Sequence, residues 1–203
     1  MTEPATEPPV AARRLVVLAV STQAALAALA AIGGRLFAVP PRWGSPVEGV
    51  AIGLAAAFVL AAANYGLLAC GRRGWFGGGV WTAYREVLVP LFGVGSVAGS
   101  VVIGTAAGVG EEWFFRGFLQ PLVGWVGASV LFGAAHVGGR RFAALGVWAA
   151  VMGMVLGGLA DWSGGLIAPM VAHGTYDVLA LEYIRRTAGP GAGPMGSEEQ
   201  ATT

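Results

Sequence analysis

The sequence predicts an all-α protein, a polytopic bundle of about six transmembrane helices. Three observations predict it. Of 203 residues, 56% are hydrophobic and 11% charged, against about a quarter charged in soluble domains, and the mean hydropathy is +0.69. The apolar residues fall into runs close to the roughly 20 residues that a bilayer-crossing helix needs. Four arginine pairs, Arg13/Arg14, Arg72/Arg73, Arg140/Arg141 and Arg185/Arg186, mark run ends that an even alternation places on one side. The positive-inside rule makes that side cytoplasmic. The expectation is a multi-pass cell-membrane protein with both termini in the cytoplasm.

Residues 1–12 are rich in Pro, Glu and Thr and are expected to be a disordered tail. The single membrane domain then covers 13–186. Its first run extends from about Leu15 to Phe37 and its second from about Val50 to Cys70, with a loop around Pro40, Pro41 and Trp43 between them. A short segment from Trp81 to Leu88 mixes Tyr84, Arg85 and Glu86 with apolar residues, which predicts an interfacial helix. Pro90 is expected to break or kink it. The third run goes from about Leu91 through Gly110 to a turn at Gln120-Pro121, and the fourth from Leu122 to Val137. The fifth covers Phe142 to Ala160 and the sixth Leu166 to Ile184, separated by a turn at Asp161 to Gly165. Residues 187–203 are Gly/Pro-rich and are expected to form a second disordered tail.

Net charge is +1, and the basic residues are all arginines without any patterning that suggests nucleic acid. The lone Cys70 closes no disulfide and no metal-ligand spacing. Small residues four apart, Gly95/Gly99, Gly104/Gly108 and Gly153/Gly157, let helix backbones approach closely. They serve packing inside the bundle or a homo-oligomer face.

Against this background the ionisable residues of the apolar runs need a reason, because a charge in lipid costs several kcal/mol unless it is paired or solvated. Glu111 and Glu112 are adjacent, Arg116 follows, and the chain's two histidines are His136 and His173. Glu112 and Arg116 share a helix face at i, i+4, while Glu111 points about 100° away. Arg116 can therefore neutralise Glu112 and leave Glu111 free. With the turns placed as above, Glu111 lies roughly 15 Å, His136 roughly 22 Å and His173 roughly 14 Å from their turns on the outer side, at about 1.5 Å per residue. The three groups fall within about two helical turns in depth. Phe132 shares a face with His136, and Asp177 one with His173.

Glu111-Glu112-x-x-x-Arg116, Phe132-x-x-x-His136 and His173-x-x-x-Asp177, with Phe115-Arg116-Gly117 inside the first, resemble the three-motif pattern of the CPBP intramembrane proteases. That family includes CAAX-processing endopeptidases of Rce1 type and bacterial Abi proteins linked to bacteriocin immunity. The resemblance covers about residues 98–180. It implies a helical bundle around a polar intramembrane cavity and an intramembrane glutamic endopeptidase, a hydrolase acting on a peptide or protein substrate held in the lipid bilayer. Glu111 would be the general base and, with His136, would hold the attacking water. His173 and Asp177 would stabilise the oxyanion, and Glu112, Arg116 and Phe132 would support them. An ionised Asp177 would repel an oxyanion, so it donates only when protonated; otherwise it orients His173. No cofactor is implied.

Two alternatives stay open. Glu111, His136 and His173 form a two-histidine, one-carboxylate set of the kind that holds catalytic zinc. Against zinc, few outer partners are in sight: Asp177 lies one turn from His173, but no carboxylate lies one turn from His136. The other alternative is a membrane immunity or binding protein without turnover.

Overall fold

The computed structural model describes residues 10–70 and 74–188, and all its regular structure among them is helical. The Arg72/Arg73 pair, most of the expected N-terminal tail and residues 189–203 lie outside the described residues. Helix α1, Val10–Leu36, starts a little ahead of the expected run. Helix α2, Pro46–Cys70, opens on a proline at its first turn, where the missing N–H has no partner to lose.

Helix α3 occupies residues 74–92 and is not broken at Pro90, one of the two expected outcomes there. The helix passes through Pro90 and stops at Gly93, and Ser96 caps the next one by accepting from the Gly99 N–H at 3.0 Å. A π-helical turn, Tyr84–Leu88, precedes the proline. The same device recurs in α4 (residues 97–123), where π-helical Trp113–Leu119 precedes Pro121. In each case the carbonyl four residues before the proline, on Glu86 or Gly117, loses its donor and faces the ring. Each of these carbonyls lies inside the π segment, where the widened turn accommodates the ring without ending the helix.

The turn expected at Gln120-Pro121 is displaced to Gly124, whose φ of 79° and ψ of 164° suit glycine almost exclusively. There the chain folds back. The Phe115 and Phe132 rings are 5.0 Å apart, whereas 17 residues of straight helix would separate them by about 25 Å. Helix α5, residues 125–135, is consequently short, and His136 caps its C-terminus with φ −98° and ψ 2°. At about 1.5 Å per residue it reaches only part of the way across a bilayer core, so the expected fourth span is a half-helix. A 3-10 turn, Arg140–Phe142, leads to α6, Ala143–Trp162, and α7 is Ile167–Thr187.

Among the described residues, four helical stretches are long and apolar enough to cross a membrane: Ala11–Leu36, Pro46–Ala69, Val97–Ala135 and Arg140–Trp162. The third is the α4–α5 hairpin. The fold is a helical membrane bundle. Helix α7 is not among the four, since it carries His173, Asp177 and Glu182. It packs along both α2 and α4, and α4 supplies partners for two of those side chains, Glu112 for His173 and Ser100 for Glu182. Glycines set the α4–α7 spacing. A Cβ on Gly108 would lie 2.6 Å from the Met170 carbonyl oxygen and 2.7 Å from the Gly174 nitrogen, and one on Gly104 would lie 2.8 Å from the Gly174 carbonyl oxygen. Gly153 faces Ser129 and Gly157 faces Trp125 in the same manner. These glycines are used inside the bundle.

Helix α3 fills the space left beneath the short α5. Its Val80 and Tyr84 pack with Leu68, Ala144, Leu181 and Ile184. Three of the arginine-bearing ends gather there. Arg13 flanks Leu91 to Ser96, Arg141 meets Glu86 at 2.5 Å, and Arg185 is held by Glu182 at 2.7 Å.

Candidate active site

The hairpin at Gly124 equalises depth. Glu111 lies 13 residues before it and His136 lies 12 residues after it, so both sit roughly 18–20 Å from the turn. The displaced turn brings them closer in level than the sequence expectation did. Helix α7 adds His173 and Asp177 from the other side, through the close glycine contact with α4.

Glu112 is fully buried. Its Oε1 accepts from Arg116 Nη1 at 3.0 Å and from His173 Nδ1 at 2.7 Å. The i, i+4 pairing expected from the sequence is present, and the second contact makes Glu112 the anchor of the His173 ring. Arg116 is also buried. It donates from Nη2 to the Gly153 carbonyl at 3.2 Å, and its guanidinium lies 4.5 Å from the Phe132 ring centre. Phe132 therefore supports the cation as well as packing 4.6 Å from the His136 ring.

His136 Nδ1 lies 2.8 Å from the Phe132 carbonyl oxygen. A carbonyl only accepts, so Nδ1 carries the hydrogen, and the neutral ring presents the lone pair of Nε2. The same logic at Glu112 leaves Nε2 of a neutral His173 as an acceptor. Both Nε2 atoms face Glu111 Oε2, at 3.8 Å for His136 and 4.0 Å for His173. Asp177 Oδ2 lies 3.5 Å from His173 Nε2. Glu111 Oε2 itself is buried without a hydrogen-bond partner. One expectation is thus corrected. Both imidazoles have outer partners, a backbone carbonyl for His136 and Glu112 for His173, so scarcity of such partners gives no argument against a metal. Among the described residues no cluster of three or more His, Cys, Asp or Glu side chains is arranged to hold a metal ion.

Glu111 is also not free, as the i, i+4 reading supposed. Its Oε1 accepts from Gln23 Nε2 of α1 at 2.7 Å. Sequence reasoning passed over Gln23, although it is the one amide side chain in α1 and stands near that helix's middle. A cavity of about 250 Å³ opens from His136, His173 and Asp177 towards Leu88 and Phe92 of α3. Trp148, Met152 and Tyr176 give it an apolar wall.

Comparison with known proteins agrees with the motif resemblance. Residues 93–179 match the family model described as type II CAAX prenyl endopeptidase Rce1-like. Glu111, Glu112, Arg116, Phe132, His136, His173 and Asp177 all lie within that Rce1-like segment, and Gln23 lies outside it. Among curated proteins, the uncharacterized protein YpbD of Bacillus subtilis (strain 168) is 33% identical over 81 residues, which is 37% of this chain and 43% of that protein. The match therefore spans less than half of the relative's length. No solved structure matches.

Proposed function

We propose that the protein is an intramembrane endopeptidase that hydrolyses a peptide bond of a membrane-associated or prenylated-type substrate, with Glu111 as general base. One observation carries this reading. Glu111 Oε2, His136 Nε2, His173 Nε2 and Asp177 Oδ2 are drawn together from three helices, at separations of 3.5–4.0 Å. Glu111 Oε2 and the Nε2 of a neutral His136 are acceptors, while His173 Nε2 and Asp177 Oδ2 can each carry a proton. The acceptors call for a species that brings hydrogens or positive charge, and the co-substrate of hydrolysis is one. A water donating one hydrogen to Glu111 and the other to His136 turns its lone pair outward, towards a carbonyl carbon in the cavity beneath α3. Glu111 takes the water proton as the O–C bond forms. It returns that proton to the amide nitrogen as the C–N bond breaks, giving a carboxyl and an amine. His173, with a proton on Nε2, and a protonated Asp177 donate to the developing oxyanion. Glu112 holds His173 in position for this, and Arg116 offsets the charge of Glu112.

The Rce1-like match over 93–179 supports a protease of this kind. The acceptor set also suits a cation, so zinc is the second reading. Tetrahedral zinc at about 2.0–2.2 Å from each ligand holds the ligand atoms roughly 3.4 Å apart; the separations to Glu111 Oε2 are 3.8 and 4.0 Å. We favour the metal-free site.

The test compares membrane proteomes of cells carrying wild-type or Glu111→Gln protein at matched levels. An uncleaved membrane protein should accumulate with Glu111→Gln. Indistinguishable proteomes, with both proteins folded in the membrane, would refute the peptidase and favour the immunity or binding reading.

A further inference from the structure

We infer that Gln23 of α1 is a positioning residue for Glu111, which extends the site to a helix outside the Rce1-like segment. This rests on the reading of Glu111 as the base. Helix α1 packs on α4 along one side, and few of its residues are fully buried, so an amide in its middle faces a strong cost unless it has a partner. Its Nε2 donates to Glu111 Oε1 at 2.7 Å across 88 residues of sequence. The neighbouring residue makes the room. A Cβ on Gly110 would lie 2.6 Å from the Gln23 backbone oxygen and 2.8 Å from its Oε1. Glycine at 110 is what lets α1 approach the carboxylate this closely.

The division of labour between the two carboxylate oxygens follows. Oε1 is fixed by Gln23, and Oε2, buried and without a protein partner, is the one turned towards the histidines. A single anchor on one oxygen sets the rotation of the carboxylate about its last bond, and with it the direction in which Oε2 accepts a proton. Gln23 Oε1 is itself buried and unpartnered. An orphaned acceptor detracts from stability, so packing alone does not account for an amide here, whereas the bond to Glu111 does.

The test uses Gln23→Met, which keeps the side-chain length and removes the donor, and Gln23→Asn, which keeps the amide but draws it back by one methylene. The first readout is labelling of Glu111 in full-length protein by a hydrophobic carbodiimide, located by mass spectrometry. The reagent is attacked by a carboxyl oxygen, and Gln23 occupies Oε1. Labelling should rise several-fold in both variants, with an unfolding midpoint no lower than wild type for Gln23→Met. The second readout is the protein that accumulates with Glu111→Gln. Its rate of loss should fall roughly 10- to 100-fold in each Gln23 variant, the range for losing a hydrogen bond to a charged group. Unchanged labelling, or raised labelling with an unchanged rate, would overturn the inference, and so would a lowered midpoint as the sole effect. If nothing accumulates with Glu111→Gln, the peptidase reading falls. The labelling result then still decides whether Gln23 holds Glu111.

Discussion

Replacing Glu112 by glutamine tests how the ion pair and the histidine anchor share one carboxylate oxygen. Glu112 Oε1 accepts from Arg116 Nη1 at 3.0 Å and His173 Nδ1 at 2.7 Å, with the carboxylate fully buried and the Arg116 side chain 1% exposed. Glutamine keeps the shape but removes the charge. Its carbonyl can still accept, while an NH2 turned towards Arg116 or His173 would oppose their donors. Breaking a buried pair from one side costs about 3–5 kcal/mol, because the other charge stays buried. Arg116 keeps the Gly153 carbonyl and the Phe132 ring as partners, which favours the lower half of that range. The expected loss is therefore about 3 kcal/mol, read as a shift in the denaturant midpoint of purified protein in a fixed detergent. Adding Arg116→Met should recover part of it, giving a coupling of about 1–3 kcal/mol between the positions. Proteolysis should fall as well, since His173 loses its anchor. A Glu112→Gln protein within about 0.5 kcal/mol of wild type and fully active would refute both roles.

Four further outcomes follow from the geometry. Gly108→Val should destabilise by about 1–3 kcal/mol or more, read by the same midpoint, because a Cβ there meets backbone of α7 at 2.6 and 2.7 Å; a neutral result would mean that α4 and α7 are not held this close. Gly124→Ala should cost about 1–3 kcal/mol, since φ 79° with ψ 164° is closed to alanine; a loss below about 0.5 kcal/mol would place the hairpin turn elsewhere. Reporter fusions after residues 45, 75, 140 and 163 and at the C-terminus should put 75, 140 and the C-terminus in the cytoplasm. An outer-side signal at the C-terminus would sink the six-segment topology. Activity of purified protein should survive chelation; stoichiometric zinc, with activity lost to a chelator and restored by zinc alone, would move Glu111 from base to ligand.

The polar core was legible because lipid makes every ionisable side chain conspicuous. Glu111, His136 and His173 stood out as charges and imidazoles within apolar runs, and i, i+4 spacing paired Glu112 with Arg116 correctly. What eluded the sequence were features that local signals misstate. Pro90 read as a break or kink and Pro121 as part of a turn, but a π turn ahead of each lets the helix continue. Gly124 carries no local signal that sets it apart from the chain's other glycines, and its backbone angles and the fold-back of Phe132 onto Phe115 mark it as the turn. The His173–Glu112 contact spans 61 residues and the Gln23–Glu111 contact 88, and no spacing rule reaches so far. The signal that existed for Gln23 was its solitude, a lone amide midway along an apolar helix.

Helix α7 has a consequence for how the chain is made. Its polar side chains are tolerable because α4 offers His173 and Glu182 their partners, Glu112 and Ser100, and α4 is synthesised before it. A newly made α7 leaving the ribosome after α4 gains little from entering lipid by itself. It has to be received by a groove that the earlier helices have already formed, with Glu112 waiting for His173. Assembly and formation of the polar cluster then become one event. A chain stopped before Ile167 would retain the apolar helices needed to enter a bilayer and have an open cleft where the site should be. Quality control could distinguish the finished protein from its precursor by whether that cleft is filled.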